Sequence, residues 1–236
     1  MQISLIDVAL VLFVYIVLFM IIGILNLFKV RFHLSSITTR NIIHITSGNM
    51  MLLLPLFSRW FYPFLIPLGM AIIVGSGLLF GRGGAIRDLM IDDNRYSRLH
   101  SLGPLYYIVM IGVLVPMTWQ IKYVGMASIL ILAWGDGTAT LLSQKIKNRH
   151  RYPWGDKSYE GSIIMLICSF LGAMVGLTIG MICDYNLMNS FRIINMAIIG
   201  ATVATIAEAL SEGPLKPFDN ITVPTFSALA IYLVSI

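Results

Sequence analysis

The feature that most constrains this chain is a succession of apolar runs, each of roughly 20 residues, joined by short polar connections. A helix of that length crosses roughly 30 Å of hydrocarbon with every backbone polar group bonded internally. Composition agrees, because 58% of the 236 residues are hydrophobic, 11% are charged and the mean hydropathy is +0.86. We therefore predict an all-α polytopic membrane protein, with a single transmembrane domain over residues 1–236. The eight predicted spans are residues 4–28, 40–57, 60–80, 102–119, 122–143, 161–182, 191–211 and 220–236.

The basic residues predict how these spans are oriented. Of the 16 Lys and Arg residues, 13 fall in alternate connections, and only Arg59, Lys122 and Arg192 fall in the others. Because cytoplasmic loops are enriched in Lys and Arg, this distribution predicts that the basic loops are cytoplasmic and that both termini lie outside. The formal net charge of +5 is therefore a topology signal, and no nucleic-acid partner is predicted.

Acidic residues gather at the predicted cytoplasmic ends of the spans. Asp136 lies about two turns inside the fifth span, and Glu208 lies at the end of the seventh. A carboxylate at membrane depth is costly unless it is paired or hydrated, so both are functional candidates, with a structural ion pair as the alternative for each. Asp156, Glu160, Glu212, Asp219 and Asn220 lie on the same side, whereas Asp88, Asp92 and Asp93 are expected in a solvated loop.

Facing these carboxylates is a connection that carries five cations, Lys145, Lys147, Arg149, Arg151 and Lys157. This arrangement predicts a site for a metal-bound polyphosphate, since Mg²⁺ binds carboxylate and phosphate oxygens while Lys and Arg neutralise the remaining charge. Gly135 and Gly137 would allow close backbone approach beside Asp136. The stretch 157–162 would present free backbone N–H groups to phosphate at a helix N-terminus, although it is not a Walker A loop. Binding of anionic lipid headgroups without chemistry is the alternative.

Five stretches, in consistent order, resemble motifs of the phytol kinase and dolichol kinase family. They are Arg40-Asn41-Ile42-Ile43-His44-Ile45-Thr46-Ser47-Gly48, Gly103-Pro104-Leu105-Tyr106-Tyr107, Trp134-Gly135-Asp136-Gly137-Thr138-Ala139, Lys157-Ser158-Tyr159-Glu160-Gly161-Ser162 and Asp219-Asn220-Ile221-Thr222-Val223-Pro224. The resemblance covers residues 40–236, a kinase-like region, and leaves residues 1–39 as a first helix and a basic loop. Asn41 stands where the family usually has Lys, and Ser143 and Lys147 stand where it often has Gly.

The resemblance implies transfer of a nucleoside triphosphate's γ-phosphate, typically from CTP, to the terminal hydroxyl of an isoprenoid alcohol in the bilayer. The active site would lie on the cytoplasmic face of an integral membrane protein, in the cell membrane if the organism is prokaryotic. The implied roles are Asp136, Asp219 and Glu208 around Mg²⁺; Lys157, Ser158, Gly161, Ser162, Asn220, Gly135 and Gly137 at the nucleotide phosphates; Glu160 as orienter of the loop or base; and His44 as phosphate ligand or base.

Two other functions are compatible with this pattern. A cytidylyltransferase that attaches CMP to a lipid phosphate also needs CTP, a metal and a membrane acceptor, but it releases diphosphate instead of CDP. A secondary transporter would use carboxylates as coupling sites near the bilayer midplane, whereas here they gather toward one face. Gly172, Gly176 and Gly180 share one face of the sixth span and favour close helix packing over a gap for the alcohol.

Overall fold

The protein is helical throughout its described part, with no β-strand: a computed structural model describes residues 3–80, 102–184 and 188–236. The helices are α1 Leu5–Phe32, α2 Ser36–Gly48, α3 Phe61–Phe80, α4 Gly103–Met117, α5 Lys122–Leu130, α6 Gly137–Ser143, α7 Tyr159–Cys183, α8 Ser190–Leu210 and α9 Asp219–Ser235. Shorter 3-10 segments cover Asn49–Leu56, Trp119–Ile121 and Gly213–Phe218, and a π-helical segment, Ile131–Asp136, joins α5 to α6. The predicted fold class is confirmed. The predicted loop acids Asp88, Asp92 and Asp93 lie outside the described residues.

Within the part of the chain that the structure describes, four stretches are long and apolar enough to cross a membrane, namely Leu5–Phe32, Trp119–Ser143, Tyr159–Cys183 and Ser190–Leu210. The same residues include two shorter apolar helices, Phe61–Gly77 and Gly103–Met117. All eight predicted spans coincide with helical segments, but the second is not one regular helix. Its α-helix ends at Gly48 and continues as a 3-10 segment that contains Pro55, which removes a backbone donor. The count of eight spans and their orientation stay predictions.

The helix formed by α5, the π-helical segment and α6 lies at the centre of the molecule. It contacts α2, α4, α7, α8 and α9, and every residue from Ile129 to Ala133 is fully buried. α1 and α3 lie at the periphery, and α1 turns many large apolar side chains outward. Such an outward face is expected where a helix contacts lipid instead of protein. The central helix therefore carries Asp136 into the interior of the bundle.

Small residues allow α7 to pack tightly on the central helix. A Cβ added at Gly172 would lie 2.7 Å from the carbonyl oxygen of Leu130, and one added at Gly176 would lie 2.7 Å from the backbone of Ala127. A Cβ at Gly180 would similarly lie 2.6 Å from Tyr123. These three glycines form a seam, defined here as the line along which the backbones of α7 and the central helix are in close contact, as their spacing predicts.

We expect Gly176→Ala to lower the free energy of unfolding by about 1–3 kcal/mol, because the added methyl group overpacks a backbone contact that cannot move aside. The measurement is the thermal midpoint of the purified protein in detergent. Gly23→Ala is the matched control, since no heavy atom of the described residues beyond the adjoining backbone of α1 lies within 4 Å of a Cβ built at Gly23. Equal midpoints for the two variants would show that the seam is not tight.

Candidate functional site

A cavity of about 340 Å³ lies between α1 to α4 on one side and α6, the segment 149–162 and the start of α9 on the other. Its two ends differ in chemistry. The charged end includes Arg40, His44, Asp136, Lys157, Asp219 and Asn220. The apolar end includes Val14, Leu18, Phe57, Pro63, Ile111 and Val115. One continuous space thus joins ionic side chains from distant parts of the sequence to an apolar interior.

The π-helical segment positions Asp136 at the charged end. A π-helix is wider than an α-helix and is found mostly as a short insertion at functional sites. Within it, Trp134 Nε1 donates to Asn49 Oδ1 at 2.7 Å, which ties the central helix to the 3-10 segment after α2. Thr138 Oγ1 donates to the carbonyl oxygen of Trp134, so the first turn of α6 is also fixed. These bonds hold the helix on both sides of the Asp136 carboxylate.

The connection before α7 folds back on itself and brings the predicted phosphate-binding stretch to the cavity. Tyr152 N donates to the carbonyl oxygen of Lys157 at 2.9 Å, and Arg151 and Ser158 form an isolated antiparallel bridge. Ser158 then caps α7, because its Oγ accepts a hydrogen bond from Gly161 N at 3.2 Å. The cavity-lining members of the stretch are Lys157, Ser158, Gly161 and Ser162.

Two glutamates hold this loop in place, Glu208 in the last turn of α8 and Glu212 two residues after its end. Lys157 Nζ lies 2.7 Å from Glu208 Oε1 and also donates to the carbonyl oxygen of Glu208. Glu212 Oε1 accepts a hydrogen bond from Lys157 N at 3.0 Å, and its carboxylate lies against the face of Gly155 where a side chain would stand. The side chains of Lys157 and Glu208 are only 14% and 13% exposed, so each charge depends on the other. The ion pair left open as an alternative for Glu208 is therefore present.

His44 lines the cavity from α2 and is held by Tyr107 of α4. The two rings lie 4.0 Å apart between centroids, and the Tyr107 hydroxyl donates to the carbonyl oxygen of His44 at 3.1 Å. Nε2 of His44 is buried and has no hydrogen-bond partner among the described residues. A buried ring nitrogen without a partner is costly, so a ligand at this position would supply the missing hydrogen bond.

Asp219 and Asn220 begin α9 and line the charged end of the cavity. Asn220 N donates to Asp219 Oδ1 at 2.7 Å, while Asn220 Oδ1 is buried without a partner in the described part of the chain. With Asp136, these residues supply the oxygen atoms that Mg²⁺ prefers. Across residues 3–80, 102–184 and 188–236, no three His, Cys, Asp or Glu side chains are grouped closely enough to hold a metal alone. The donor set fits Mg²⁺ that also binds phosphate oxygens, as in other nucleotide sites.

Three predicted site residues do not line the cavity. The carboxylate of Glu160 accepts a hydrogen bond from His150 N at 3.1 Å and lies 2.6 Å from His150 Nδ1, so it belongs to the loop scaffold. Gly135 approaches Ser169 of α7, and Gly137 approaches α2. Their missing side chains make room for neighbouring helices.

Three further basic residues, Arg40, Arg149 and Lys216, also line the cavity. Arg149 belongs to the basic connection that was predicted to face a polyphosphate, whereas Arg40 and Lys216 carried no predicted chemical role. Tyr107 belongs to a recognised motif, but its contact with His44 depends on how α2 and α4 cross. Arg40 stands four residues before His44, one helical turn away, and that spacing was the available signal.

Comparisons with known proteins give one consistent result. The chain is 34% identical over 198 residues to a protein of Synechocystis sp. named phytol kinase, covering 81% of this chain and 76% of that protein. It is 32% identical to the probable phytol kinase 2, chloroplastic, of Oryza sativa subsp. japonica, covering 83% of this chain and 65% of the rice protein. It is 29% identical to phytol kinase 1, chloroplastic, of Arabidopsis thaliana, covering 83% and 66% of the two chains. No known family model matches the chain, and no solved structure matches it significantly.

Proposed function

The chain belongs to the phytol kinase family, and on that premise we propose that it is a membrane-embedded kinase for isoprenoid alcohols of the phytol, geranylgeraniol or dolichol type. The phosphoryl donor is a nucleoside triphosphate, which we propose to be CTP. Its γ-phosphate is transferred to the terminal hydroxyl of the alcohol, which gives a prenyl monophosphate and a nucleoside diphosphate.

The observation that carries this proposal is the joining of a charged end and an apolar end in one cavity. A kinase for a water-soluble acceptor has no need of the apolar end. A protein that only binds lipid headgroups has no need of buried carboxylates and an unpartnered histidine beside the basic loop. An amphipathic alcohol and a polyphosphate together use both ends.

The donor phosphates are assigned to the charged end. Ser158, Gly161 and Ser162 stand at the N-terminus of α7, where N–H groups and the helix dipole favour phosphate. Asp136 and Asp219 would hold Mg²⁺, with Asn220 Oδ1 as a neutral oxygen donor. When bound, the metal would neutralise charge on the phosphate oxygens. Lys157 would turn from Glu208 toward the γ-phosphate as that group arrives.

The acceptor hydroxyl is assigned to His44. In the proposed step, the alcohol O–H bond breaks and its proton passes to His44 Nε2. The alcohol oxygen forms a bond to the γ-phosphorus, the bond from that phosphorus to the bridging oxygen breaks, and the nucleoside diphosphate leaves with that oxygen. Tyr107 keeps the imidazole aimed into the cavity through its ring contact and its bond to the His44 carbonyl.

Glu160, Glu208 and Glu212 are assigned supporting roles. Glu160 orients the loop through His150, which favours that role over the role of a base. Glu208 neutralises Lys157 while no phosphate is bound, and Glu212 fixes the Lys157 backbone. A positive-inside orientation would place the charged end on the cytoplasmic side, where nucleotide is present, while the alcohol arrives from the bilayer.

The test is to incubate the purified protein with CTP, Mg²⁺ and geranylgeraniol, using CTP labelled in parallel reactions at the γ-phosphorus or the α-phosphorus. We expect γ-label in the lipid fraction and α-label in CDP, because the kinase breaks the bond between the β- and γ-phosphates. In a further incubation that supplies a prenyl monophosphate instead of the alcohol, transfer of α-label to this lipid phosphate, with release of diphosphate, would identify a cytidylyltransferase. A parallel series with ATP, GTP and UTP tests the donor separately from the reaction.

A further inference from the structure

Phe57 forms part of the wall at the apolar end of the cavity, and this part of the wall is called the floor. Phe57 lines the cavity and is only 5% exposed. Val11 and Tyr62 pack against Phe57 in one buried cluster but do not line the cavity themselves. The phenyl ring of Phe57 is therefore backed by buried side chains that do not face the cavity.

A buried aspartate that has no part in the proposed reaction holds the residue next to Phe57 in place. Asp7 of α1 is 1% exposed, and its carboxylate accepts hydrogen bonds from the backbone N of Ser58, at 2.8 Å, and from the Ser58 hydroxyl. Ser4 N, one turn earlier, donates to the Tyr62 hydroxyl at 2.8 Å. A buried carboxylate must be well bonded to be tolerated, so these contacts fix the residue next to Phe57 against α1.

The length of the cavity can be compared with the length of one isoprene unit. Tyr107, which contacts His44, and Val115, at the apolar end, both line the cavity from α4 and lie eight residues apart, so the cavity extends along α4 for at least roughly 12 Å at about 1.5 Å per residue. One isoprene unit adds four main-chain carbons, roughly 5 Å with carbon–carbon bonds of about 1.5 Å. That increment is comparable to the reach of a phenyl ring, so removing one ring changes the available depth by about one unit.

We propose that Phe57 sets the upper limit on the length of the isoprenoid alcohol that this protein phosphorylates. This inference rests on the proposed function, because the hydroxyl is taken to stand at His44 while the chain extends toward Phe57. A chain that is too long meets the floor before its hydroxyl reaches Nε2, so it loses turnover more than binding.

The test measures kcat/KM for a series of all-trans prenyl alcohols of two to nine isoprene units, with wild type and two opposed variants. Phe57→Ala deepens the cavity, and we expect it to raise the kcat/KM of the next longer alcohol, relative to the best wild-type substrate, by at least about tenfold. Ile111→Phe fills the cavity one turn nearer the charged end, and we expect the preferred length to fall by about one unit. Leu56→Ala and Val113→Phe are the matched controls, since these side chains are 58% and 41% exposed and neither lines the cavity.

The outcomes separate this inference from the proposed function. The proposed role of Phe57 is supported if Phe57→Ala and Ile111→Phe shift the preferred alcohol length in opposite directions while the two controls keep the wild-type length profile. Length profiles that match wild type in both cavity variants, while prenols are still phosphorylated, overturn the floor and leave the kinase. If Phe57→Ala does not fold, Phe57→Leu and Ile111→Phe decide the matter in the same way. If wild type phosphorylates no prenol of any length, the proposed function fails and the floor fails with it.

Discussion

Asp136→Asn is expected to lower kcat/KM by about 10³-fold, or ~4 kcal/mol of transition-state stabilisation, because the change removes the charge that would hold the metal beside the phosphates. The side chain keeps its size, so the protein should fold normally. The measurement is phosphorylation of geranylgeraniol at saturating Mg²⁺, with thermal midpoints recorded in the same detergent. Full turnover under these conditions would show that Asp136 is not a metal ligand.

A second readout distinguishes metal binding from general damage. Mg²⁺ together with CDP should raise the thermal midpoint of wild type, since a ligand that binds only the folded state stabilises it. Asp136→Asn should lose this increase. Asp184→Asn is the matched control, because Asp184 pairs with Lys122 at 2.8 Å and does not line the cavity. It should retain both turnover and the increase in the midpoint.

Lys157→Met is expected to have two separable effects. Loss of the ammonium group beside the phosphates should lower kcat by about 10²–10³-fold. Loss of the partner of Glu208 should also reduce the free energy of unfolding by about 3–5 kcal/mol, because a largely buried carboxylate is left without its counter-charge. Activity per folded molecule and denaturation midpoints measure the two effects independently.

The double variant Lys157→Met/Glu208→Gln tells these effects apart. Neutralising both partners should recover most of the lost stability but none of the lost turnover. Recovery of turnover together with stability would mean that Lys157 acts only as a structural partner of Glu208. The pair Lys122→Met/Asp184→Asn provides the control, since it removes an ion pair of similar length outside the cavity and should leave turnover intact.

Much of the architecture follows from the sequence because hydropathy and length determine it. The eight predicted spans coincide with helical segments, and the spacing of Gly172, Gly176 and Gly180 predicted a close helix contact that the structure confirms. Side-chain caps also mark helix starts, as with Ser158 before α7. These features depend on residues that are near each other in the chain, so a single sequence records them.

The details of the site depend on how distant segments meet, and the sequence does not record that. Nothing in residues 131–136 distinguishes a π-helical segment from an ordinary turn, yet that segment positions Asp136. The motif containing Glu160 predicted a residue in the site, but its carboxylate is bound to His150 across the folded loop. The sequence was equally compatible with Glu208 as a member of an ion pair and with Glu208 as a metal ligand. Only the approach of Lys157 to α8 favours the ion pair.

The continuous cavity has a kinetic consequence if the protein is the kinase proposed here. A prenyl monophosphate made in it keeps its tail at the apolar end and its new phosphate beside the cations, so the product occupies the places of both substrates at once. Release of this product into the bilayer, and not phosphoryl transfer, would then be the rate-limiting step of turnover. Such a protein would slow as its own product accumulates in the surrounding lipid, which would match its output to the rate at which a later reaction consumes that product.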